Sequence, residues 1–276
     1  MPQNLRGYIE LIREHKLLLD IQKEIDPLTN LAGIAYRAET ELGKGTLFHN
    51  LKGFPGWRAV SYMCGSREKM ALGLGTTKDK ALVELGARVS RGLVKPKVVQ
   101  DGPVKEVILK GDNADLGRIP IHVHSDSDRG VPFIGSAMQT VKDPETGVQN
   151  IALQRDHIKG ARKMGIFVHP KRHTDICMQK YWKAGKPMPV ATVIGHHPAH
   201  YIASTWTTSY DIDEIEIAGA HPREIQTGAD GVLRKAGIVL DGADTLLGHR
   251  IQQFAIAGDA GRRVMHLRII KSESNH

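Results

Sequence analysis

The chain has 276 residues, of which 41% are hydrophobic and 25% charged, and 38 Lys and Arg against 30 Asp and Glu give it a formal net charge of +8. That length accommodates one large domain or two modest ones with their own cores, and no apolar run approaches the roughly 20 residues that span a bilayer. The excess of positive charge admits polyanion partners, but the basic residues are dispersed apart from small clusters at Lys95–Lys97 and Lys171–Arg172, which a phosphate-bearing small ligand explains equally well, so no nucleic-acid partner is expected.

In chain order, Leu5, Tyr8, Ile9, Leu11 and Ile12 form one helical stripe over residues 5–16, with Asn4 as its N-cap. Residues 17–25 read as a strand. Asp26-Pro27 places a capping carboxylate and a first-turn proline ahead of a second helix that runs to Gly43. Strands over 46–50 and 57–63 flank the turn Lys52-Gly53-Phe54-Pro55-Gly56, and helices over 66–74 and 78–93 complete an α/β unit. Lys95-Pro96-Lys97 and Asp101-Gly102-Pro103 read as a linker. Beyond it come strands over 104–110, 133–142, 149–159, 163–168 and 190–195, with Asp143-Pro144-Glu145-Thr146-Gly147 a hairpin signal. One helix, 174–184, interrupts them. Strand-rich chain with few helices implies a barrel or sandwich. Cys64 and Cys177 stand far apart in unrelated contexts, which argues against a disulfide framework. With an N-terminus too polar for a signal peptide, a cytoplasmic location is expected.

Three segments carry candidate chemistry. Along Asn150-Ile151-Ala152-Leu153-Gln154-Arg155, strand alternation puts Asn150, Ala152 and Gln154 on one face and Arg155 on the other, unless a bulge or twist intervenes. His169-Pro170-Lys171-Arg172-His173 is a turn rich in donors and metal ligands. The third, residues 211–219, reads as a strand alternating carboxylate and isoleucine. An Asn carbonyl, an imidazole and a carboxylate suit Mn²⁺ or Mg²⁺ together with phosphate oxygens. A neighbouring Arg supplies a planar donor fork for a substrate carboxylate. Taken singly, each has a plainer reading: Asn150 a turn residue, His173 a surface or capping residue, Glu214 and Glu216 a solvated strand face, Arg155 half of a surface ion pair. Only their joint order points to a site.

That joint pattern resembles the UbiD-type decarboxylases, which use prenylated FMN. The resemblance runs through Leu5-Arg6-Gly7-Tyr8-Ile9, Lys23-Glu24-Ile25-Asp26-Pro27, Phe48-His49-Asn50-Leu51-Lys52-Gly53 and Gly65-Ser66-Arg67-Glu68. It continues in Pro103-Val104-Lys105-Glu106-Val107, Pro120-Ile121-His122, Lys142-Asp143-Pro144-Glu145-Thr146-Gly147, His169-Pro170-Lys171-Arg172-His173 and Glu214-Ile215-Glu216-Ile217-Ala218-Gly219-Ala220. Residues 1–242 are covered in the family's order. The resemblance implies an α+β chain: a small N-terminal α/β domain over 1–103, then a split β-barrel flavin-binding domain over 104–244. It implies Asn150, His173 and Glu214 as Mn²⁺ ligands that tether the cofactor phosphate, with Glu216 the runner-up for the third. Leu153, Gln154 and Arg155 match the strand lining the cofactor, and Phe167, Val168, His169 and Arg172 match its second contact segment. Arg155 matches the arginine that meets the substrate carboxylate. A monovalent cation, K⁺, near Ser204 and Thr205 is also implied, as are a flavin prenyltransferase that supplies the cofactor and a homo-oligomer in the full-length family.

Two departures stand out. The family's acidic proton donor lies in an E-G-P-x-G-E-like segment, which this chain lacks after Ala236-Gly237-Ile238-Val239-Leu240-Asp241-Gly242. Residues 245–276 read as a divergent tail, the product of a shifted frame or truncation, with the family's C-terminal domain absent. Gly135 stands where a hydroxyl residue is expected, beside Ser136. The first functional expectation is reversible non-oxidative decarboxylation of an aromatic or α,β-unsaturated carboxylic acid. The second is a catalytically incomplete remnant or non-catalytic subunit that keeps the cofactor-domain fold.

Overall fold

The computed structural model describes residues 4–96, 107–109, 113–220, 254–261 and 264–271; most of the expected linker and the Ala236–Gly242 strand lie outside them. Helix α1 (Leu5–Glu14) starts where Asn4, in extended conformation, accepts from the Gly7 N–H at 2.9 Å. Its buried residues Leu5, Tyr8, Ile9 and Ile12 form the expected stripe. Strand β1 (Leu18–Ile21) pairs in parallel with β2 (Gly45–Phe48) across helix α2 (Leu31–Leu42), and β3 (Ala59–Ser61) adds antiparallel to β2. Asp26 does cap a turn, accepting from Leu28 N–H at 2.9 Å, but α2 begins five residues later, and Gly43 ends it at φ 67°. The expected strand over 17–25 is shorter because Ile25 returns only as an isolated bridge to Leu51. Helices α3 (Arg67–Gly73) and α4 (Ala81–Ser90) follow.

The larger sheet contains β4 (Val107–Leu109), β5 (Phe133–Ile134), β6 (Met138–Lys142), β7 (Gln149–Leu153), β8 (Asp156–Gly160), β9 (Lys163–Ile166), β10 (Met188–Ile194), β11 (Phe254–Gly261) and β12 (Val264–Lys271). Their order is β5-β8-β9-β12-β11-β10-β6-β7, with β4 on β12. Thus β11 and β12, within residues 254–271, lie in the middle of the sheet.

The order dictates the sheet's shape. From β7 to β8 it takes six steps, about 29 Å were the sheet flat. Yet only Gln154 and Arg155 separate Leu153 from Asp156, a span of at most about 11 Å. Likewise residues 135–137 alone connect β5 to β6. The sheet must therefore curl until its ends meet, and a buried hydrogen bond from Gln139 of β6 to Asp156 of β8 crosses the interior. Among the described residues no ladder joins β5 to β7, so the curled sheet is not closed by hydrogen bonds. This geometry corrects two expectations. The strands over 133–142 and 149–159 are each two strands, bent at residues 135–137 and 154–155, as happens where a chain passes from one face of a folded sheet to another.

A third correction concerns residues 211–219. The alternation of Glu and Ile suggests a strand, but Glu214–Ala220 is helix α7. The Asp213 carboxylate accepts from the Ile215 N–H at 2.8 Å, starting the helix, and burial of Glu214, Ile215, Ile217 and Ala218 follows a helical face. Besides α5 (His173–Lys183), the expected helix, a further helix α6 (Pro198–Ser204) was unexpected. Ile134, Ala137, Val141, Met164, Cys177, Met188 and Val190 form the core under α5, while Ile151, Val193, Ala203, Ile215 and Ile217 pack α6 and α7 on the sheet.

Candidate cation and carboxylate site

Strand β7 and the first residues of α5 and α7 converge. Asn150, the second residue of β7, is 7% exposed, and its amide donates to Thr174 Oγ1 at 3.1 Å. Glu214, 3% exposed, accepts from the Ile151 N–H at 3.2 Å through Oε2, while Oε1 lies 3.3 Å from His173 Nδ1. Asn150, His173 and Glu214 are thus brought together from segments 23 and 41 residues apart in sequence. Burial pushes the Glu214 carboxyl up to about 7. Burial, then the Arg172 charge, lowers His173, keeping its imidazole in the neutral form that ligates metals.

The positions of these residues have local causes. Asp213 holds α7 against β7 from the other side, accepting from Gln149 Nε2 at 3.2 Å. Before α5 the chain turns through Lys171 at φ 64°, and Asp175 accepts from the Lys171 N–H at 2.8 Å. Behind α5, the side chain of Asp143 is 1% exposed and receives Lys180 Nζ at 2.6 Å, the Tyr210 hydroxyl and the N–H groups of Glu145 and Thr146. Burial alone would raise this carboxyl, but these donors together hold it well below the usual carboxylate range. Tyr210 in turn packs edge-on to His173, with ring centroids 5.2 Å apart. Sequence reasoning missed Thr174, Lys180 and Tyr210, because only Asp143 carried a local signal, its turn.

Among the described residues no group of three His, Cys, Asp or Glu side chains is arranged for a metal. The trio at β7 supplies two of those types, and an amide oxygen as the third donor. This oxygen-and-nitrogen set fits a hard or borderline divalent cation such as Mn²⁺. Glu216 does not share the position of Glu214: two residues along a helix turn a side chain by about 200°.

Arg155 lies where the ends of the curled sheet meet. Its Nη2 is 2.6 Å from both carboxylate oxygens of Asp128, and its guanidinium carbon is 3.9 Å above the Phe133 ring. Leu153 and Phe167 are apolar but exposed, at 39% and 66%. Gln154 has a buried Oε1 with no hydrogen-bond partner among the described residues. Val168 is half-buried, and His169 is exposed with its ring edge-on to Phe167 at 4.8 Å. Arg172 is the exposed N-cap residue of α5 and makes no side-chain cap. Ser204 and Thr205 end α6, their hydroxyls donating to Tyr201 O at 2.8 Å and Ile202 O at 2.9 Å. At Gly135 a Cβ would lie 2.3 Å from His124 Cε1, the end of an exposed side chain that would have to move aside.

Two family models match the chain. The 3-octaprenyl-4-hydroxybenzoate carboxy-lyase Rift-related domain (UbiD) covers residues 97–243, and the corresponding N-terminal domain covers 9–89. An uncharacterized Rhodospirillum rubrum protein, from the cooM 5' region, is 31% identical over 78% of this chain and 47% of its own length. The anhydromevalonate phosphate decarboxylase of Methanosarcina mazei is 29% identical over 86% of this chain and 54% of its own. This chain therefore spans about half the length of the curated relatives it matches. Two structures of the UbiD-class enzyme HmfF from Pelotomaculum thermopropionicum are also similar. The FMN complex has a TM-score of 0.82 at 26% identity, covering 98% of this chain and 62% of HmfF. The prFMN complex of an evolved dimeric form has a TM-score of 0.80 at 25% identity, covering 99% and 66%.

Proposed function

The chain belongs to the UbiD family of carboxy-lyases, and from that membership we propose that it carries the flavin-binding part of a decarboxylase for an aromatic or α,β-unsaturated carboxylic acid. The carrying observation is the convergence of Asn150, His173 and Glu214, linked through the Ile151 N–H and Thr174. In this reading the trio holds Mn²⁺, which grips the phosphate of prenylated FMN, and the curled sheet is the family's split barrel. Leu153 and Phe167 offer exposed apolar surface for the flat ring, with Gln154, Val168, His169 and Arg172 around it. The prenylated flavin, when bound, supplies the electron sink for the carbanion-like centre left by departing CO₂. Arg155 orients the substrate carboxylate before the bond breaks. A K⁺ ion at the end of α6, a flavin prenyltransferase as supplier, a homo-oligomeric full-length protein and a cytoplasmic location belong to the same proposal.

Co-expression with a flavin prenyltransferase tests it. Purified protein is expected to carry a flavin absorbance and stoichiometric Mn²⁺, and to release CO₂ from cinnamate- or hydroxybenzoate-like acids. Arg155→Ala should keep the flavin and lose turnover. Glu214→Gln or His173→Ala should lose metal and flavin together by elemental analysis and absorbance; retention of both removes these residues from the site. A second reading is favoured by the missing E-G-P-x-G-E-like segment: a chain that binds cofactor without turning over. Bound flavin with no CO₂ release from any tested acid would establish that reading instead.

A further inference from the structure

The surroundings of Arg155 contain a contact that the proposed chemistry does not account for. Arg155 is half exposed, its side chain at 48%, whereas the Asp128 side chain it grips is only 6% exposed. Asp128 is itself well fixed. It ends a single 3-10 turn, Asp126–Asp128, that Ser125 caps by accepting from the Ser127 N–H at 3.1 Å. The next residue, Arg129, reverses the chain at φ 53°, and the Asp128 carbonyl accepts from the Val131 N–H at 3.0 Å. The guanidinium's flat face rests on Phe133, whose ring stacks on His157 with centroids 4.6 Å apart. Hence the guanidinium is held at one nitrogen and over one face. Nε and Nη1 have no hydrogen-bond partner among the described residues.

The neighbouring groups leave Asp128 as the counter-charge. His124 and His122 lie with their rings tilted to each other and centroids 4.0 Å apart. Burial lowers both, His122 to about 4, and burial also lowers His157. None of the three imidazoles is shifted toward its charged form, and Asp128, whose carboxyl the Arg155 hydrogen bond lowers, is the anion paired with Arg155.

We infer that Asp128 is a positioning residue for Arg155: with the Phe133 ring, it fixes the guanidinium so that its remaining N–H groups face a planar substrate carboxylate. This rests on the reading of Arg155 as the carboxylate anchor. An unclamped arginine would sample many rotamers and lose orientation on each binding event. The residue matters through geometry, because its negative charge by itself opposes a second anion.

The test uses the purified chain and needs no turnover. Phenylglyoxal modifies accessible, unpaired guanidinium groups, and peptide mass spectrometry reads the rate at Arg155. Benzoate, a planar aromatic carboxylate, is the competing probe. Asp128→Asn should speed modification of Arg155 about tenfold and abolish protection by benzoate, while Asp128→Glu restores slow modification. Phe133→Leu, which removes the aromatic face under the guanidinium together with its stacking on His157, should give an intermediate rate. An unchanged rate in Asp128→Asn, with the thermal melt also unchanged, overturns the clamp. Should Asp128→Asn fail to fold, Phe133→Leu decides: a wild-type rate there overturns it equally. If benzoate fails to protect Arg155 in the wild-type chain, the carboxylate anchor falls instead, whatever the variants do. In flavin-loaded protein the clamp predicts a kcat/KM loss of about tenfold that includes a rise in KM, in line with the lost benzoate protection.

Discussion

Asp156 shows how strongly one residue's setting overrides its ordinary chemistry. Its side chain is fully buried, receives the Gln139 amide and leaves Oδ2 without a donor among the described residues, where Gln139 Oε1 and Thr192 Oγ1 are also unsatisfied. Burial pushes the carboxyl from 3.8 up to about 8, against the opposing effect of the Gln139 hydrogen bond. A protonated Asp156 supplies the missing donor. In the unfolded chain the same group ionises near its ordinary value, so between about pH 4 and pH 8 the folded state binds more protons than the unfolded one. Stability should therefore fall as pH rises through that window and level off above it. Asp156→Asn should remove the slope and raise the melting temperature at pH 8 by roughly 5 °C, as followed by circular dichroism across a pH series. An equal slope in the variant would assign the effect to another group. Little of this was legible in the sequence, where Asp156 follows Arg155 with nothing to show that they face opposite environments.

Between elements, contacts distant in sequence decide the outcome. The Glu-Ile alternation of residues 214–217 was legible and misleading, because a seven-residue helix needs only a capping Asp213 and one buried face to override a period-two pattern. The cap was the signal that could have corrected it. Asp143 joins the β6–β7 hairpin to α5 and to Tyr210, partners 37 and 67 residues away, so no local pattern could reveal them. Asp143→Asn is expected to cost about 2 kcal/mol in urea unfolding and to loosen the start of α5, where His173 lies. The α3–α6 contact is equally specific. A Cβ on Gly73 would lie 2.8 Å from Pro198 Cγ and 3.1 Å from Tyr8 Cε2, both on rigid rings. Gly73→Ala should destabilise by about 1–3 kcal/mol; a neutral result would mean that α3 and α6 approach less closely than described.

At the level of the whole molecule, the sequence shows where strands exist but not how they pair. Period-two patterns covered 133–142 and 149–159 correctly as extended chain, yet each passes from one end of the curled sheet to the other. Gly135 was a visible hint at the first bend; Gln154-Arg155 offered none. Trio positions came from resemblance, whereas the contacts through Thr174 and the Ile151 N–H that bring them together required the fold. With a formal charge of +8, weak adsorption to DNA is expected at low ionic strength. It should vanish between about 50 and 200 mM salt without sequence preference, and salt-resistant, sequence-selective binding in a gel-shift titration would contradict that expectation.

The meeting of the sheet's ends has a practical corollary for handling the protein. Arg155 belongs to the two-residue hinge there and its carboxylate partner to a separate loop, so a small splaying of that junction separates the pair while every ladder remains intact. Mild denaturant, pressure or rough purification should thus silence the arginine well before any spectroscopic melting is seen, and a sample with a faultless circular dichroism spectrum can already be inert.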